Sequence, residues 1–495
     1  MIFQAHKGVS IEFPENTMPA YIAAIGQGYE IIELDVSVTK DMQFVMLHDS
    51  KLNRTARNQD GSELESEIRI ADITYEEALQ YEYGSWRFPE WKGTKIPLFK
   101  EVLELAAKHE VELKIDNKYQ KFTVEQRSAF YELLKPYQDF ACLTCKNVEG
   151  IVEAMQELPD MRFHYDGLVT KEILDELATV LPKERLTIWG AYQNEKTTWV
   201  KVPFVDKEMA SMIKEYGRLG IWILSKEEEL KDAKEMGADI IETNGQLKPD
   251  KSKVLVEGHR GYAAKYPENT LVSFEAAMDL GVDAVEFDVW LTKDKVPVIM
   301  HDGNGKRTCG TDVHVRDLTL EEVKSLEASY ELKFGDEFKG KGCRIPTLKE
   351  LLELRKAKRP DLMLGVEIKE YTEETVDVTV AMLKEYGVFE QCYFYAFNAR
   401  IIQYIKEKYD GRTMGYPDFQ MPEFKEDSYS YYYDIGLSLR YVKSEIFPIY
   451  EAKNLPMHMY CADTTEDVIL CIEKGAALIT ANDPVPLMKV LGRIQ

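Results

Sequence analysis

Two segments of the sequence carry the same polar residues in the same order. One reads HKGVSIEFPENT and begins at His6, and the other reads HRGYAAKYPENT and begins at His259. Each segment is followed by an E-x-D pattern, an H-D pair and a further acidic residue. The recurring residues are His6, Glu33, Asp35, His48 and Asp116 in the first copy and His259, Glu286, Asp288, His301 and Glu367 in the second. The repetition predicts one site of the same chemistry in each copy.

The E-x-D pattern predicts a metal site. Its two acidic residues stand at i and i+2, so on a strand both side chains leave the same face. Two carboxylates in one pocket repel each other, and a divalent cation relieves that repulsion. Asp116 or Glu367 completes a set of three carboxylates, and oxygen ligands without a thiolate suit Mg²⁺ or Ca²⁺. A single E-x-D is more typical of a solvated face or a salt bridge, but its recurrence in apolar strands favours one divalent cation per active copy.

The histidines and lysines beside these carboxylates predict acid–base chemistry on an anion. Imidazole titrates near working pH, so two histidines in one site can act as general acid and general base. Lys7 and Arg260 follow the first histidine of each copy, and Lys118 and Lys369 follow the last carboxylate at i+2, which predicts the same strand face. Cations beside a metal site can hold a phosphate. The pattern indicates metal-assisted attack on a phosphoester.

Other chemistry-bearing residues favour structural roles. His109, His164 and His314 have no counterpart in the other copy. Cys142 and Cys145 form a CxxC without a partner pair, so a strand with buried thiols is favoured over a metal or redox site. Asp49 and Asp302 directly follow a recurring histidine, and we expect them to orient that turn.

The elements that must position these residues follow a repeating rhythm. Short apolar runs alternate with helical patterns over about 250 residues, which is typical of a (β/α)₈ TIM barrel. The recurring polar residues lie at or just past the ends of predicted strands, and those ends meet at one rim of a parallel barrel. A doubly wound open sheet is the alternative fold. No G-x-G-x-x-G follows the first strand, which argues against a dinucleotide site.

The length predicts two domains. A single hydrophobic core rarely grows beyond roughly 250–300 residues, and this chain has 495 residues. The repeat is far longer than the ~20–50 residues of a solenoid unit. A polar linker, GQLKPDKSKVLVEG, separates the copies. We therefore expect two tandem barrels, residues 1–250 and 251–495, with the option that they pack against each other.

Composition narrows the class of protein. The chain has 62 Lys and Arg against 86 Asp and Glu, a net charge of −24, which disfavours binding to nucleic acid. No apolar run predicts a transmembrane helix and no secretory signal is evident, so membrane insertion is not expected. Seven cysteines without a disulfide framework fit a reducing cytoplasm.

Eight ordered motifs resemble those of the glycerophosphodiester phosphodiesterase family. They are H-[RK]-G, P-E-N-T, E-x-D, T-K-D, H-D, R-T, I-P-[TL] and E-I-K, and the resemblance covers both copies. It implies a TIM barrel that hydrolyses glycerophosphodiesters to glycerol 3-phosphate and an alcohol with a divalent metal and two histidines. It also implies a small insertion after the early strands, which residues 50–93 and 303–340 would supply. Direct attack by water and attack by the glycerol 2-hydroxyl through a cyclic phosphate are both open.

The resemblance also implies residue roles. Proton transfer is implied for His259, His301, His6 and His48. Metal binding is implied for Glu286, Asp288 and Glu367, and for Glu33, Asp35 and Asp116. Phosphate or substrate binding is implied for Arg260, Lys369, Glu268 and Asn269, and for Lys7, Lys118, Glu15, Asn16 and Trp222. Trp222 matches the aromatic residue that the family carries near its last strands, and the second copy offers His458 at the matching place, with Tyr460 nearby.

The first copy departs from the family pattern at two positions. Lys7 stands where the family has arginine, and Asp116 where it has glutamate. Lysine lacks the planar fork that binds two phosphate oxygens, and aspartate is one methylene shorter. We therefore expect the second copy to be the main catalyst. Two alternatives stay open: one copy, preferably the first, is a degenerate binding or dimerising module, or the substrate is another phosphodiester, such as that of a sugar or an envelope polymer.

Overall fold

A computed structural model describes residues 1–494 of the chain. The chain folds into two compact units, Met1–Lys253 and a second unit that begins at Val254. In each unit eight parallel strands close into a barrel. The prediction of two tandem (β/α)₈ barrels is thereby confirmed.

The first barrel contains ten strands and eight α-helices. The strands are β1 (Ile2–His6), β2 (Ile31–Leu34), β3 (Val36–Val38), β4 (Phe44–Met46), β5 (Glu112–Ile115), β6 (Ala141–Cys145), β7 (Arg162–Tyr165), β8 (Leu186–Ala191), β9 (Arg218–Leu224) and β10 (Ile240–Thr243). The helices are α1 (Met18–Gln27), α2 (Tyr75–Ala78), α3 (Phe99–His109), α4 (Val124–Leu134), α5 (Val148–Glu157), α6 (Lys171–Val180), α7 (Lys207–Tyr216) and α8 (Glu227–Glu235). The closed barrel runs β1-β10-β9-β8-β7-β6-β5-β2.

The second barrel, described from Val254 to residue 494, contains nine strands and eleven α-helices. The strands are β11 (Leu255–Gly258), β12 (Ala284–Leu291), β13 (Pro297–Ile299), β14 (Met363–Ile368), β15 (Cys392–Tyr395), β16 (Arg412–Gly415), β17 (Asp434–Ser438), β18 (Met457–Tyr460) and β19 (Ala476–Ala481). The helices are α9 (Leu271–Leu280), α10 (Lys306–Cys309), α11 (Leu320–Ser325), α12 (Glu331–Phe334), α13 (Leu348–Lys358), α14 (Glu373–Glu385), α15 (Ala399–Tyr409), α16 (Leu439–Val442), α17 (Phe447–Glu451), α18 (Thr465–Glu473) and α19 (Pro484–Val490). The order is β11-β19-β18-β17-β16-β15-β14-β12, closed by pairing of β11 with β12.

Burial explains why these segments are strands and helices. The barrel strands are buried along almost their whole length, as expected for strands covered by helices on one side and filled by side chains on the other. The flanking helices bury one side only: α3, for example, buries Phe99, Val102, Leu103, Leu105 and Ala106. The CxxC cysteines lie buried in β6, as the sequence predicted.

A hairpin corrects one prediction. His48 and His301 were expected to follow barrel strands, but β4 and β13 run antiparallel, β4 to β3 and β13 to the end of β12. The hairpin rises above the rim and returns to it, where the backbone N–H of Leu47 donates to the Asp35 carbonyl oxygen. The histidines therefore reach the barrel mouth on a returning strand, which short apolar runs alone do not distinguish from a barrel strand.

The insertion implied by the family resemblance has a small core of its own in each barrel. In the first it contains Leu52, Ala56, Ile70, Ala78 and Tyr83. In the second it contains Val315, Val323 and Ala328. Each core lies beside the hairpin that carries His48 or His301. Within residues 1–494, no helix combines the length and apolar character needed to cross a membrane.

Candidate active sites

Three carboxylates converge at the mouth of the second barrel. Glu286 and Asp288 leave the same face of β12, and the register of β12 and β14 sets Glu367 opposite Asp288. One oxygen from each carboxylate lies within 4.8 Å of the others, and all three residues are buried. Glu286 Oε1 and Asp288 Oδ1 are buried without a hydrogen-bond partner. Three hard ligands, two of which have a buried oxygen without a hydrogen bond, fit Mg²⁺ or Ca²⁺.

The electrostatics of this trio fit the same conclusion. Burial, reinforced by the charge of Asp288, raises the pKa of Glu286 well above its usual range and also raises the pKa of Glu367. Burial also acts to raise the pKa of Asp288, but the charges of Arg260 and Lys369 outweigh it and lower that pKa. Burial and mutual repulsion thus disfavour the charged forms of Glu286 and Glu367, and a bound cation would offset this cost.

Two histidines flank the carboxylates. His259 Nδ1 lies 2.7 Å from Asn482 Oδ1, and His301 Nδ1 lies 2.7 Å from Asp302 Oδ1. Both partners are oxygen acceptors, so Nδ1 carries a proton in each ring and Nε2 is the nitrogen free for proton transfer. His259 Nε2 is 3.8 Å from Glu286. Burial lowers the pKa of His301, and the charges of Arg260 and Lys369 add to this effect while Asp288 opposes it. Burial also acts to lower the pKa of His259, but Cys461 and Asn482 favour its protonated form and raise its pKa to about 8.

The cations of the second barrel point into the same pocket. Arg260 Nη1 donates to Glu268 at 2.8 Å, and its Nε lies 3.5 Å from Asp288. Lys369 Nζ donates to Glu367 at 2.8 Å. Asn269 donates to Asp288 at 2.7 Å, so it orients that carboxylate. The Arg260 and Lys369 side chains can therefore meet an anion at the carboxylate trio.

The turn after the first strand holds these groups at the rim. Arg260 and Gly261 adopt φ values of 53° and 87°, and Lys7 and Gly8 adopt 62° and 77° in the first barrel. A Cβ on Gly261 would lie 2.6 Å from the Ser273 carbonyl carbon, so the turn needs glycine for close approach to α9 as well as for φ. Strained backbone at such a position is typical of functional sites.

The first barrel repeats most of the site. His6 Nδ1 lies 2.7 Å from Asn244, and His48 Nδ1 lies 2.6 Å from Asp49. Asn16 donates to Asp35 at 2.9 Å, as Asn269 does to Asp288. Glu15 lies 3.5 Å from Lys7 Nζ. The two histidines and their orienting groups thus match those of the second barrel.

The third carboxylate of the first barrel does not join the other two. In the described part of the chain, Glu33, Asp35 and Asp116 form no group with oxygens within 4.8 Å of one another. Asp116 is one methylene shorter than glutamate and accepts from Asn117 Nδ2 instead. Lys118 Nζ donates to Asp35 at 2.5 Å and to the His48 carbonyl at 2.7 Å. Lys118 was predicted on a strand, but it lies in a 3-10 turn, Asn117–Lys121, because β5 ends at Ile115.

Below the two sites, each barrel interior contains a buried glutamate, but on a different strand: Glu242 on β10 and Glu257 on β11. In the first barrel Gln4 donates to Glu242, and Lys114 donates to Glu242 at 3.2 Å. In the second barrel Glu257 occupies the place of Gln4 and accepts from Tyr395 and Thr480 at 2.9 and 2.8 Å. Burial raises the pKa of Glu257 to about 7, whereas burial acts to raise the pKa of Glu242 but Lys114 lowers it.

Strand register corrects the match proposed for Trp222. Ile221 pairs with Ile241 on the last strand of the first barrel, and Met459 pairs with Ile479 on the last strand of the second. Ile241 and Ile479 each lie three residues before the asparagine that binds the first histidine, so they occupy equivalent positions. Tyr460 is therefore the counterpart of Trp222. His458 lies two residues earlier on the same face of β18, so it sits deeper in the barrel, where it is buried 3.5 Å from Asp434.

A second group of possible metal ligands is disfavoured by the proton position of its histidine. Glu112, Cys142 and His164 place one ligand atom each within 4.8 Å inside the first barrel. His164 Nδ1 accepts from Trp189 Nε1 at 2.9 Å, so the neutral ring carries its proton on Nε2. A protonated nitrogen cannot coordinate a cation, which supports the structural role expected for His164.

Sequence reasoning missed three sets of site residues. Arg54 and Arg307 each bridge the aspartate behind a histidine to the glutamate of P-E-N-T. Asn244 and Asn482 fix the proton position of the first histidine. Cys461 Sγ lies 3.5 Å from His259 Nδ1. The recurring R-T motif and the resemblance of GADIIETN to GAALITAN signalled the first two sets, but Cys461 has no repeated signal.

Comparison with known proteins identifies one family. The model of the glycerophosphoryl diester phosphodiesterase family matches residues 6–148 and 259–427. A glycerophosphodiester phosphodiesterase of Caldanaerobacter subterraneus is 39% identical over 158 residues, 31% of this chain and 63% of that protein. One from Bacillus altitudinis is 39% identical over 112 residues, 22% of this chain and 43% of that protein. The matches thus span less than two thirds of these relatives.

Two solved structures are similar to this chain over about half of its length. A phosphodiesterase of Oleispira antarctica in complex with the product sn-glycerol-3-phosphate is 23% identical, with a TM-score of 0.43, and the match covers 48% of this chain and 96% of that one. A glycerophosphodiester phosphodiesterase of Agrobacterium tumefaciens is 21% identical, with a TM-score of 0.41, covering 49% and 100%.

Proposed function

Since the chain belongs to the glycerophosphoryl diester phosphodiesterase family, we propose that its second barrel hydrolyses glycerophosphodiesters to glycerol 3-phosphate and an alcohol. The observation that carries the proposal is the buried trio Glu286, Asp288 and Glu367, with two unpartnered oxygens, between two oriented histidines. A divalent cation, Mg²⁺ or Ca²⁺, held by the trio would supply charge stabilisation at the phosphoryl oxygens.

The residues of the second barrel divide the remaining work. Arg260 and Lys369 bind the phosphate, and Arg260 alone offers a planar pair of donors. The Nε2 atoms of His259 and His301 are the proton-transfer atoms, since each Nδ1–H is bound to an oxygen acceptor. One imidazole takes a proton from the attacking hydroxyl and the other gives a proton to the leaving alcohol. This division holds for water and for the glycerol 2-hydroxyl as the nucleophile.

We further propose that the first barrel binds a phosphodiester without contributing the main turnover. Lys118 Nζ lies 2.5 Å from Asp35, whereas Lys369 Nζ lies 3.6 Å from Asp288, and Asp116 stands apart. The closer lysine offsets more of the charge of Asp35, and only two carboxylates remain near each other to bind a metal there. Lys7, Lys118 and the two histidines still provide an anion site.

Hydrolysis of glycerophosphocholine and glycerophosphoethanolamine tests both proposals. We expect release of glycerol 3-phosphate that a chelator abolishes and Mg²⁺ or Ca²⁺ restores. His259→Ala and the His6→Ala/His259→Ala double variant lose this activity, while His6→Ala retains most of it. Chelator-resistant hydrolysis, or loss of activity in His6→Ala alone, would contradict the division of labour.

A matched pair of variants tests the metal ligands directly. Glu367→Gln should lower kcat/KM at least about 10–100-fold, the loss seen when groups that only orient metal ligands are changed. Its counterpart Asp116→Asn should leave hydrolysis within about twofold. The metal affinity of each variant, measured calorimetrically, should follow the same order. Equal losses in both variants would contradict the proposal.

We also propose a cytoplasmic location. All seven cysteines are unpaired, in line with a reducing compartment.

A further inference from the structure

A groove of about 930 Å³ opens beside His48 and Lys118 in the first barrel. Its volume lies at the upper end of the roughly 300–1,000 Å³ typical of small-molecule sites. The hairpin residue Ser37 lines it, as do Arg69, Ala71 and Lys121 among others. The groove is therefore continuous with the site that the two histidines define.

The second barrel fills the equivalent space. The hairpin registers place Trp290 at the position of Ser37. The bridges Lys51–Arg69 and Asn304–His314 place His314 at the position of Arg69 and Arg316 at that of Ala71. Trp290 and His314 pack edge to face with ring centroids 5.1 Å apart, and Arg316 pairs with Glu370. The open groove is thus a feature of the first barrel that results from small side chains at two positions.

Of the unpaired charges that line the groove in the described part of the chain, those of Arg69 and Lys121 are positive and that of Asp72 is negative. Among residues 1–494, neither the Arg69 nor the Lys121 side chain makes a hydrogen bond or ion pair, and both are exposed. Lys51 is paired with Glu67 at 2.6 Å. Asp72 is the exposed acidic residue at the edge. Two free cations in a protein with a net charge of −24 form a local site for a negative group.

We propose that this groove binds the alcohol side of a phosphodiester that carries a second phosphate, so that the first barrel selects multiply phosphorylated ligands. This inference rests on the proposal that the first barrel binds phosphodiesters. Lys7 and Lys118 hold the first phosphate at the barrel mouth. The ligand then runs past His48, and Arg69 and Lys121 hold its second phosphate. The second barrel cannot take such a ligand in the same way because Trp290 and His314 fill the path.

Calorimetric titration of the full chain tests the inference. The protein carries His259→Ala to silence hydrolysis and is titrated in chelator. The probes are glycerophosphoglycerol, with one phosphodiester, and a linear oligomer of three glycerols joined by two phosphodiesters. We expect the two-phosphate probe to bind about threefold to fivefold more tightly for each groove cation that it engages, the upper part of the range for an exposed ion pair. This preference should fall at high salt, where screening shortens to about 3 Å.

Substitutions in the groove separate this idea from general charge attraction. Arg69→Gln and Lys121→Gln should each weaken binding of the two-phosphate probe about threefold to fivefold and leave the one-phosphate probe unchanged. Ser37→Trp should remove the preference by filling the groove, with thermal unfolding as the control for folding. Lys231→Gln, an exposed lysine on α8, removes the same charge elsewhere and should have no effect.

Equal affinity for the two probes, or a preference that survives Arg69→Gln, Lys121→Gln and Ser37→Trp, would overturn the inference. These results are independent of the hydrolysis of glycerophosphocholine by the second barrel. If that hydrolysis fails while the two-phosphate preference and its loss in the variants are observed, the groove is real and the proposed catalytic function is wrong.

Discussion

Single side chains account for the main differences between the two barrels. Asp116 and Glu367 differ by one methylene, yet only Glu367 joins a group of three carboxylates. Ser37 and Trp290 occupy the same hairpin position, and the larger ring closes a groove that the smaller residue leaves open. At this scale the shared fold sets positions, and side-chain length and volume decide which chemistry each position supports.

Glu257 makes the stability of the second unit depend on pH. Its pKa is raised to about 7 by burial, above the value of about 4.5 expected in the unfolded chain, so its contribution to stability is full below pH 4.5 and is lost as pH rises through 7. Between pH 5.5 and pH 8 this linkage amounts to about 2 kcal/mol. Glu257→Gln, which introduces the residue found at Gln4, should remove that part of the pH dependence. Urea unfolding in chelator at the two pH values measures it, and an unchanged pH profile would contradict the assignment.

Cys461 makes the second site sensitive to thiol reagents. Its Sγ lies 3.5 Å from His259 Nδ1 and the residue is partly exposed, whereas Ile223 holds the same place in the first barrel. Iodoacetamide should therefore abolish hydrolysis by displacing the His259 ring. Cys461→Ser should keep activity and resist the reagent. Cys309, the other partly exposed cysteine, is the control: inactivation that disappears in Cys309→Ser instead would contradict this prediction.

At the scale of elements, the tight turn after the first strand and the returning hairpin bring the site together. The turn sends Arg260 inward with φ of 53°, and the hairpin carries His301 back to the rim. Neither element is a regular part of a (β/α)₈ barrel. Both are built into the two copies in the same way, so the geometry of the candidate site is a property of these two connections.

Gly261 tests the turn. Alanine there would adopt a left-handed φ of 87° and bring its Cβ within 2.6 Å of the Ser273 carbonyl carbon. We expect Gly261→Ala to lower the free energy of unfolding by roughly 2–5 kcal/mol and to reduce hydrolysis. Gly310→Ala has a similar φ of 68° with nothing within 4 Å, so it should cost only about 1–2 kcal/mol. Chemical unfolding compares the two, and equal losses would show that the contact with α9 is unimportant.

The sequence predicted the barrels and most of the site because both depend on local patterns. Strand–helix alternation indicated the fold, and strand ends indicated the location of Glu286, Asp288 and Glu367. The hairpin was not predicted from the sequence, because a run of three apolar residues does not show whether its strand is parallel or antiparallel to its neighbour. Sequence reasoning misplaced the match to Trp222 by two residues, since register is set by pairing between strands. It missed Cys461 and Arg307, whose contacts join residues far apart in the chain.

At the scale of the whole molecule, the proposal that only the second barrel holds a metal predicts that the two barrels respond separately to a cation. Differential scanning calorimetry should resolve two transitions, of which Mg²⁺ or Ca²⁺ raises one. At 100 times the dissociation constant the gain is about 2.7 kcal/mol, or about 5–10 °C for a unit of this size. Glu286→Gln should abolish the shift and Glu33→Gln should not. If the cation raised both unfolding transitions, and still did so in Glu286→Gln, a single metal site would be contradicted.

The bond between His259 and Asn482 has a consequence for synthesis of the protein. It joins groups 223 residues apart, one just past the first strand of its barrel and one just past the last. While a nascent chain leaves the ribosome, the imidazole waits for its orienting partner until almost the entire unit has been translated and β19 has docked beside β11. We therefore expect the proposed hydrolysis to appear only after β19 has paired with β11 and closed the second barrel.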